Sequence, residues 1–299
     1  MKFQGYLFAA LAAATYGTNP IFAKPLYAAG MNTDSVLLFR YLIAIAMMWL
    51  LLLWRCHSLK RTLQVCKVRR ADLPQLFVMG LLMSASSILL FVSYNYMPVG
   101  IASTLLFIYP ILVALIMTVC FREHLSWTIV SCLVLASTGI ALLCKSDNAG
   151  GYGLSDSFLI GFLCVMASSL SYAIYLVGLN KSRLRSIPSL TATFWVLLFG
   201  SLIYVVRIGS GIPLTMPTTP MMWFCCAGLG LFPTVISLVF TAQAIQRIGS
   251  TQTALLGALE PVTAVSLGIL LLGETLTWVE FTGMCLIFLS VSVVIKSRK

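Results

Sequence analysis

Ten apolar runs, each about 20 residues long, follow one another along this chain, near 4–23, 34–54, 75–96, 101–121, 126–144, 158–179, 189–208, 221–243, 251–272 and 277–295. A run of that length crosses the ~30 Å hydrocarbon layer of a bilayer as one α-helix. In lipid a helix satisfies every backbone N–H and C=O within its own segment. The gaps are short, so nothing is left for a separate soluble domain. Breakers mark several of them: Pro25 after the first run, Pro98 and Gly100 in the gap 94–100, and Gly209, Gly211, Pro213 and Pro217 after the seventh. The gaps at 94–100 and 122–125 predict tight helical hairpins. Composition agrees: 60% of residues are hydrophobic and 9% charged, with mean hydropathy +1.00. Soluble domains sit near ~45–50% and ~25%. The expected fold class is an all-α polytopic membrane protein of ten transmembrane helices.

The net charge is +11. In a soluble chain that would suggest a nucleic-acid partner, but here the basic residues fall in the gaps. Taking the N-terminus as cytoplasmic, one side receives Lys2, Arg55, Lys60, Arg61, Lys67, Arg69, Arg70, Arg122, Lys181, Arg183, Arg185, Arg247, Lys296, Arg298 and Lys299, fifteen in all. The other side receives three: Lys24, Lys145 and Arg207. Such a bias sets orientation in an inner membrane, with both termini cytoplasmic and no nucleic acid. Lys2 before an Ala-rich run also resembles a signal peptide, but at about 20 residues the run is long for one and reads as the first helix. The nine Cys lie mostly inside apolar runs with no pair of CxxC motifs, so neither metal nor disulfide chemistry is expected.

The chain repeats itself. At an offset of 151, Leu105, Pro110, Glu123, Leu125, Trp127 and Leu135 match Leu256, Pro261, Glu274, Leu276, Trp278 and Leu286. At 156, Gly5, Leu7 and Tyr16 match Gly161, Leu163 and Tyr172. Each copy holds five helices, residues 1–145 and 158–299, joined by a linker at 146–157. Five is odd, so the second copy enters the membrane from the opposite face. Inverted-topology repeats of this kind are characteristic of secondary transporters.

Glu260 is the first candidate for function. It sits about ten residues into its run, where a charge is costly unless it faces a cavity or a partner. It could titrate a proton or bind a cationic group; it could equally be paired for packing. Pro261 removes an N–H and should leave a carbonyl one turn earlier free for a polar cavity. Arg40, some six residues into the second run, could grip a carboxylate bidentately or snorkel to the interface. Lys24 reads as an interface anchor. Glu123 and Glu274 read as hairpin residues that cap or pair, Glu123 with Arg122, and Trp127 and Trp278 start the helices that follow. His124 is a loop residue. Polar side chains gather in the first and sixth runs (Thr15, Tyr16, Thr18, Asn19; Ser168, Ser169, Ser171, Tyr172, Tyr175). More lie in the third and fourth (Ser86, Ser87, Ser93, Tyr94, Asn95, Thr104, Tyr109) and the eighth and ninth (Thr234, Ser237, Gln252, Thr253). Singly they suit helix packing in lipid; as a set they suggest a central polar cavity. Trp195 and Trp223 read as interfacial belt residues.

Four stretches carry a resemblance: Tyr109-Pro110 through Arg122-Glu123, its repeat Glu260-Pro261 through Gly273-Glu274, Phe39-Arg40-Tyr41, and Tyr16-Gly17-Thr18-Asn19. The chain resembles, over its whole length, the EamA-type permeases of the drug/metabolite transporter superfamily. That resemblance implies two inverted five-helix halves and movement of amino acids, other small metabolites or drugs, with no cofactor. The halves differ at the Pro motif, Tyr109 against Glu260, so a step that needs that carboxylate has only one half to use. The expected function is secondary transport of a small metabolite such as an amino acid by alternating access, with Glu260 as the candidate for proton coupling. No GxxxxGK[ST] loop is present to bind ATP. The alternatives are an intramembrane enzyme, which two loop His and a single midplane acid serve poorly, and a channel or scaffold. Oligomeric state is left open.

Overall fold

The structure, a computed structural model, describes residues 2–93, 95–96, 102, 105–123, 126–145, 156–272 and 278–296. The expectations placed on Tyr94, Pro98, Gly100, Thr104, His124, Leu125, Gly273, Glu274 and Leu276 lie outside them, as does the linker at 146–155. Among the described residues every regular element is a helix. We number α1 Lys2–Tyr16, α2 Asn19–Ala28, α3 Thr33–Cys56, α4 Leu59–Cys66, α5 Leu73–Ser93, α6 Tyr109–Phe121 and α7 Trp127–Lys145. Then follow α8 Asp156–Lys181, α9 Ser189–Gly209, α10 Pro220–Gly230, α11 Ser237–Ile248, α12 Ser250–Leu256, α13 Leu259–Leu272 and α14 Trp278–Lys296.

These helices fall on the ten apolar runs, but not as ten plain rods. α3, α5, α8, α9 and the continuous stretch 220–248 are each long and apolar enough to cross a membrane unaided. Shorter apolar helices cover the fourth, fifth and tenth runs. The first run is two helices, α1 and α2, and the ninth is α12 and α13. Between α10 and α11 the stretch Leu231–Ile236 widens into a π-helix. The small α4, between the second and third runs, crosses nothing.

Two boundaries differ from the sequence reading. Pro25 does not end the first span; it lies inside α2, which continues to Ala28. The eighth span runs on to Ile248 rather than stopping near 243. In both places helix is the cheapest way for backbone to stay hydrogen-bonded in lipid, so it persists past weak stop signals.

The packing has the symmetry that the repeat requires. The fifth span packs on the tenth (α7 with α14), and the second on the seventh (α3 with α9). The third packs on the sixth (α5 with α8) as the eighth packs on the first (α11 with α1). The fourth meets the sixth as the ninth meets the first. Exchanging every span for the one five further on leaves these pairings unchanged. One pair of corresponding residues shows it at atomic scale, with donor and acceptor exchanged. Ser168 donates to Ser86 O at 2.7 Å, joining the sixth and third spans, and Ser237 donates to Ala12 O at 3.0 Å, joining the eighth and first. Ser168 lies 156 residues beyond Ala12, and Ser237 lies 151 beyond Ser86.

Close helix approach in lipid depends on small residues, because no hydrophobic driving force separates one apolar surface from another. At the α7–α14 crossing a Cβ on Gly139 would stand 2.7 Å from Gly283 O and 2.8 Å from Ile287 Cγ1. We expect Gly139→Leu to force these helices apart, at the ~1–3 kcal/mol typical of overpacking. A lowered melting temperature of the detergent-purified protein is the readout; an unchanged one would contradict this crossing.

Candidate functional site

Three interruptions converge. α1 ends at Tyr16, and the chain turns at Gly17 and Thr18 before α2. α6 begins at Tyr109, after a turn at Phe107–Ile108. α13 begins at Leu259, after a turn at Gly257–Ala258 that separates it from α12. Two glycines allow the contacts. A Cβ on Gly17 would lie 2.6 Å from Glu260 O, and one on Gly257 would overlap the Tyr109 hydroxyl. The first and ninth spans therefore touch backbone to backbone where both are broken, and the fourth span's tyrosine lies against the ninth span's turn.

Hydroxyl groups at two of the breaks take nearby carbonyls. Thr15 Oγ1 donates to Leu11 O at 2.8 Å, and Thr18 Oγ1 to Thr15 O at 2.7 Å. Tyr109 Oη donates to Ala254 O at 3.4 Å. The carbonyl one turn before Pro261 is not free, as the sequence had suggested: Gly257 O accepts the Glu260 N–H at 2.9 Å. Pro261 starts a helix instead of bending one, so its missing N–H falls where no partner is needed.

The breaks enclose a cavity of about 30 Å³ lined by Tyr16, Tyr109, Tyr172, Glu260, Ser237 and Thr253 among others. The Glu260 carboxylate lies halfway along its composite span and accepts no hydrogen bond or ion pair from the described residues. The tyrosines form a wall, with Tyr109 and Tyr172 centroids 4.9 Å apart edge to face and Tyr172 and Tyr175 stacked at 5.9 Å. Tyr175 is behind that wall, 1% exposed.

Arg40 does not snorkel: it is 1% exposed. Its Nε donates to Thr234 Oγ1 at 2.6 Å and its Nη2 to Pro233 O at 3.2 Å. Both acceptors belong to the π-helix. Pro233 has no N–H for Leu229 O, and Thr234 Oγ1 takes that carbonyl at 2.7 Å. The widened turn thus turns a proline defect into an arginine socket. The guanidinium lies 5.7 Å from the Tyr16 ring centroid, and its Nη1 has no hydrogen-bond partner among the described residues. In the sequence Thr234 is one polar residue among many, and the Pro233-Thr234 pair inside an apolar run is the one local sign of this socket.

The other candidates lie elsewhere. Thr18 serves the first break. Asn19 and Lys24 line a separate vestibule of about 650 Å³ with Tyr27, Asp34, Asn95 and Arg207. Asp34 accepts two hydrogen bonds from Arg207, Nε at 2.6 Å and Nη2 at 3.2 Å, a link between the halves that the sequence reading missed. A residue at a helix start with an acid in its first turn, on the charge-poor side, was the cue. Glu123 pairs not with Arg122 but with Lys181 of the other half, at 2.8 Å. Trp127 and Trp278 stand out from the bundle, 85% and 83% exposed. Ser86, Ser168 and Ser169 bond between spans and serve packing. Trp195 is no plain belt residue: its indole N–H reaches Cys66 O at 2.9 Å.

Replacing Thr234 by Val leaves Leu229 O and Arg40 Nε buried without partners, each costing about 1–3 kcal/mol. Thr234→Val should therefore melt well below the parent protein while Thr234→Ser melts near it. Equal melting of all three would show that the socket does not hold Arg40.

Comparison with known proteins agrees with this architecture. The model of the EamA-like transporter family matches residues 3–144 and 159–296. An uncharacterised transporter of Synechocystis is 28% identical over 223 residues, 72% of this chain, and this chain spans only 64% of that protein's length. The uncharacterised transporter YcbK of Bacillus subtilis is 25% identical over 288 residues, 93% of this chain and 88% of its own. An uncharacterised transporter of Archaeoglobus fulgidus is 23% identical over 78% of this chain. A solved crystal structure superposes with a TM-score of 0.79 at 17% identity, over 97% of this chain and 95% of that one. The family match covers both halves of the bundle, breaks and cavity included, and the chain belongs to the EamA-like transporter family, as a multi-pass membrane transporter.

Proposed function

We propose that this protein is a secondary transporter of small metabolites such as amino acids, working by alternating access across an inner membrane and coupled to protons through Glu260. The observation that carries the reading is an unpaired carboxylate in a tyrosine-walled cavity where broken helices from both halves meet. Residues 1–145 and 158–299 act as the two halves, with both termini cytoplasmic.

The volumes support movement. A cavity of about 30 Å³ holds a water or two, whereas ligand pockets run to ~300–1,000 Å³. The vestibule of about 650 Å³ is of ligand size and opens on the charge-poor face. Substrate enters there, and the halves part around Glu260 to admit it. A substrate ammonium finds the Glu260 carboxylate and the faces of Tyr16, Tyr109 and Tyr172, a cation–π setting. A substrate carboxylate finds the unclaimed Nη1 of Arg40. Rocking of one half on the other then exposes the site to the opposite face. The Arg207–Asp34 and Lys181–Glu123 pairs each join the two halves, so closure or opening must break and remake them.

Protons enter through the same carboxylate. An empty site holds Glu260 protonated or ionised according to pH, and a cationic group selects the ionised form. Glu260→Gln keeps the shape and removes the titration. In proteoliposomes preloaded with radiolabelled amino acids, the parent protein should show saturable counterflow that responds to a pH gradient. The variant should lose that response and at least tenfold of gradient-driven flux. If flux and pH response are the same in both, Glu260 does not couple; if no class of metabolite gives counterflow with folded protein, the substrate reading fails.

A further inference from the structure

The basic face of the protein carries a built site that transport itself does not use. Between the second and third spans, α4 (Leu59–Cys66) lies across the end of the bundle, joined there to the other half. Thr191 Oγ1 donates to Val65 O at 3.2 Å and Trp195 Nε1 to Cys66 O at 2.9 Å, so the last carbonyls of α4 are held by α9. Thr62 and Cys66 pack inward on α4 while Leu59 and Leu63, next to them around the helix, stay 57% and 54% exposed. Trp54 at the end of α3 is also exposed. This is the pattern of a helix lying in an interface plane, its apolar arc divided between protein and lipid.

Two cationic clefts adjoin α4, and Val65 lines both. The larger, about 550 Å³, is lined by Lys67, Arg69, Arg183 and Arg185 with one acid, Asp72, which is buried. The smaller, about 520 Å³, holds Arg55 and Arg61. Arg185 donates to Gln246 O at 3.2 Å; among the described residues the side chains of Arg55, Arg61, Lys67, Arg69 and Arg183 make no hydrogen bond or ion pair. Charges that only set orientation need no cleft. Here loops from both halves, fixed to each other through α4 and α9, build one against Val65 of α4, a helix that also carries the exposed Leu59 and Leu63.

We propose that this cleft binds the phosphate headgroup of an anionic phospholipid whose acyl chains lie along Leu59 and Leu63. Basic pockets at the membrane face suit such headgroups, and the leaflet in contact supplies them at high local concentration. The phosphate bridges cations from the 57–72 loop and the 182–188 loop, so the lipid ties the two halves together on this face. The site is separate from the central cavity, and the inference does not rest on the identity of the transported solute.

The test uses the detergent-purified full chain titrated with phosphatidylglycerol and watched by native mass spectrometry. Phosphatidylcholine with the same chains and free glycerol phosphate serve as comparisons. Phosphatidylglycerol should be retained about tenfold more strongly than phosphatidylcholine, and glycerol phosphate should not compete at matched concentration. Lys67→Gln/Arg69→Gln/Arg183→Gln should abolish the preference, and Leu59→Ser/Leu63→Ser should weaken retention with the preference kept. Equal retention of the two lipids by the parent protein overturns the proposal, and that comparison needs no variant. Full competition by glycerol phosphate would assign the cleft to a free anion and overturn the lipid, and an unchanged preference in the folded triple variant would place the lipid elsewhere.

Discussion

Every backbone N–H and C=O that a helix gives up inside lipid must find another partner, and among the described residues this protein gives them up in four places. The first, fourth and ninth spans break, and the eighth widens. None of these defects sits against lipid alone. Thr15 and Thr18 take carbonyls at the first break, the ninth span's turn folds back on itself through Gly257 O, and Thr234 takes the carbonyl that Pro233 strands. A defect that is cheap only when buried must be surrounded by other spans, so the breaks collect at the centre of the bundle. The polar cavity is the consequence of that collection.

Arg40 depends on the same logic. A guanidinium in the middle of a bundle needs acceptors that an intact helix does not offer, since its carbonyls are already used. The π-helix supplies Pro233 O and Thr234 Oγ1 at the required depth. Once placed, the charge lies beside Tyr16, and among the described residues no ion pair joins it to Glu260. Arg40 and Glu260 are thus held by separate scaffolds, one in each half.

Much of this was legible beforehand, and the limits have physical causes. The ten spans follow from hydropathy, because apolar length is a local property. The internal match at 151 and 156 residues anticipated the exchange symmetry of the packing, and Tyr16, Tyr109, Tyr172 and Glu260 were each singled out before their meeting was visible. What escaped were features that depend on a distant partner. Pro25 looked like a terminator because a soluble helix would end there. Glu123 was matched to its neighbour Arg122 because sequence offers only near neighbours; its partner Lys181 is 58 residues away. Asp34 and Arg207 are 173 residues apart, and neither is unusual on its own.

The symmetry of the scaffold and the asymmetry of its charges have different consequences. Exchange of the halves maps the Tyr109 break onto the Glu260 break, and the shared Pro110 and Pro261 keep the two backbones alike. The side chains then diverge, a phenol in one half and a carboxylate in the other. Arg40 is likewise without a charged counterpart, since the seventh span, which corresponds to the second, carries no charge before Arg207. Arg40 thus belongs to one half and Glu260 to the other. In the alternating access proposed above, the symmetric frame is what would let the two halves exchange positions at nearly equal energy. Arg40 in one half and Glu260 in the other would then hold opposite ends of a dipolar solute in both states, so that the solute need not turn over as the site changes sides.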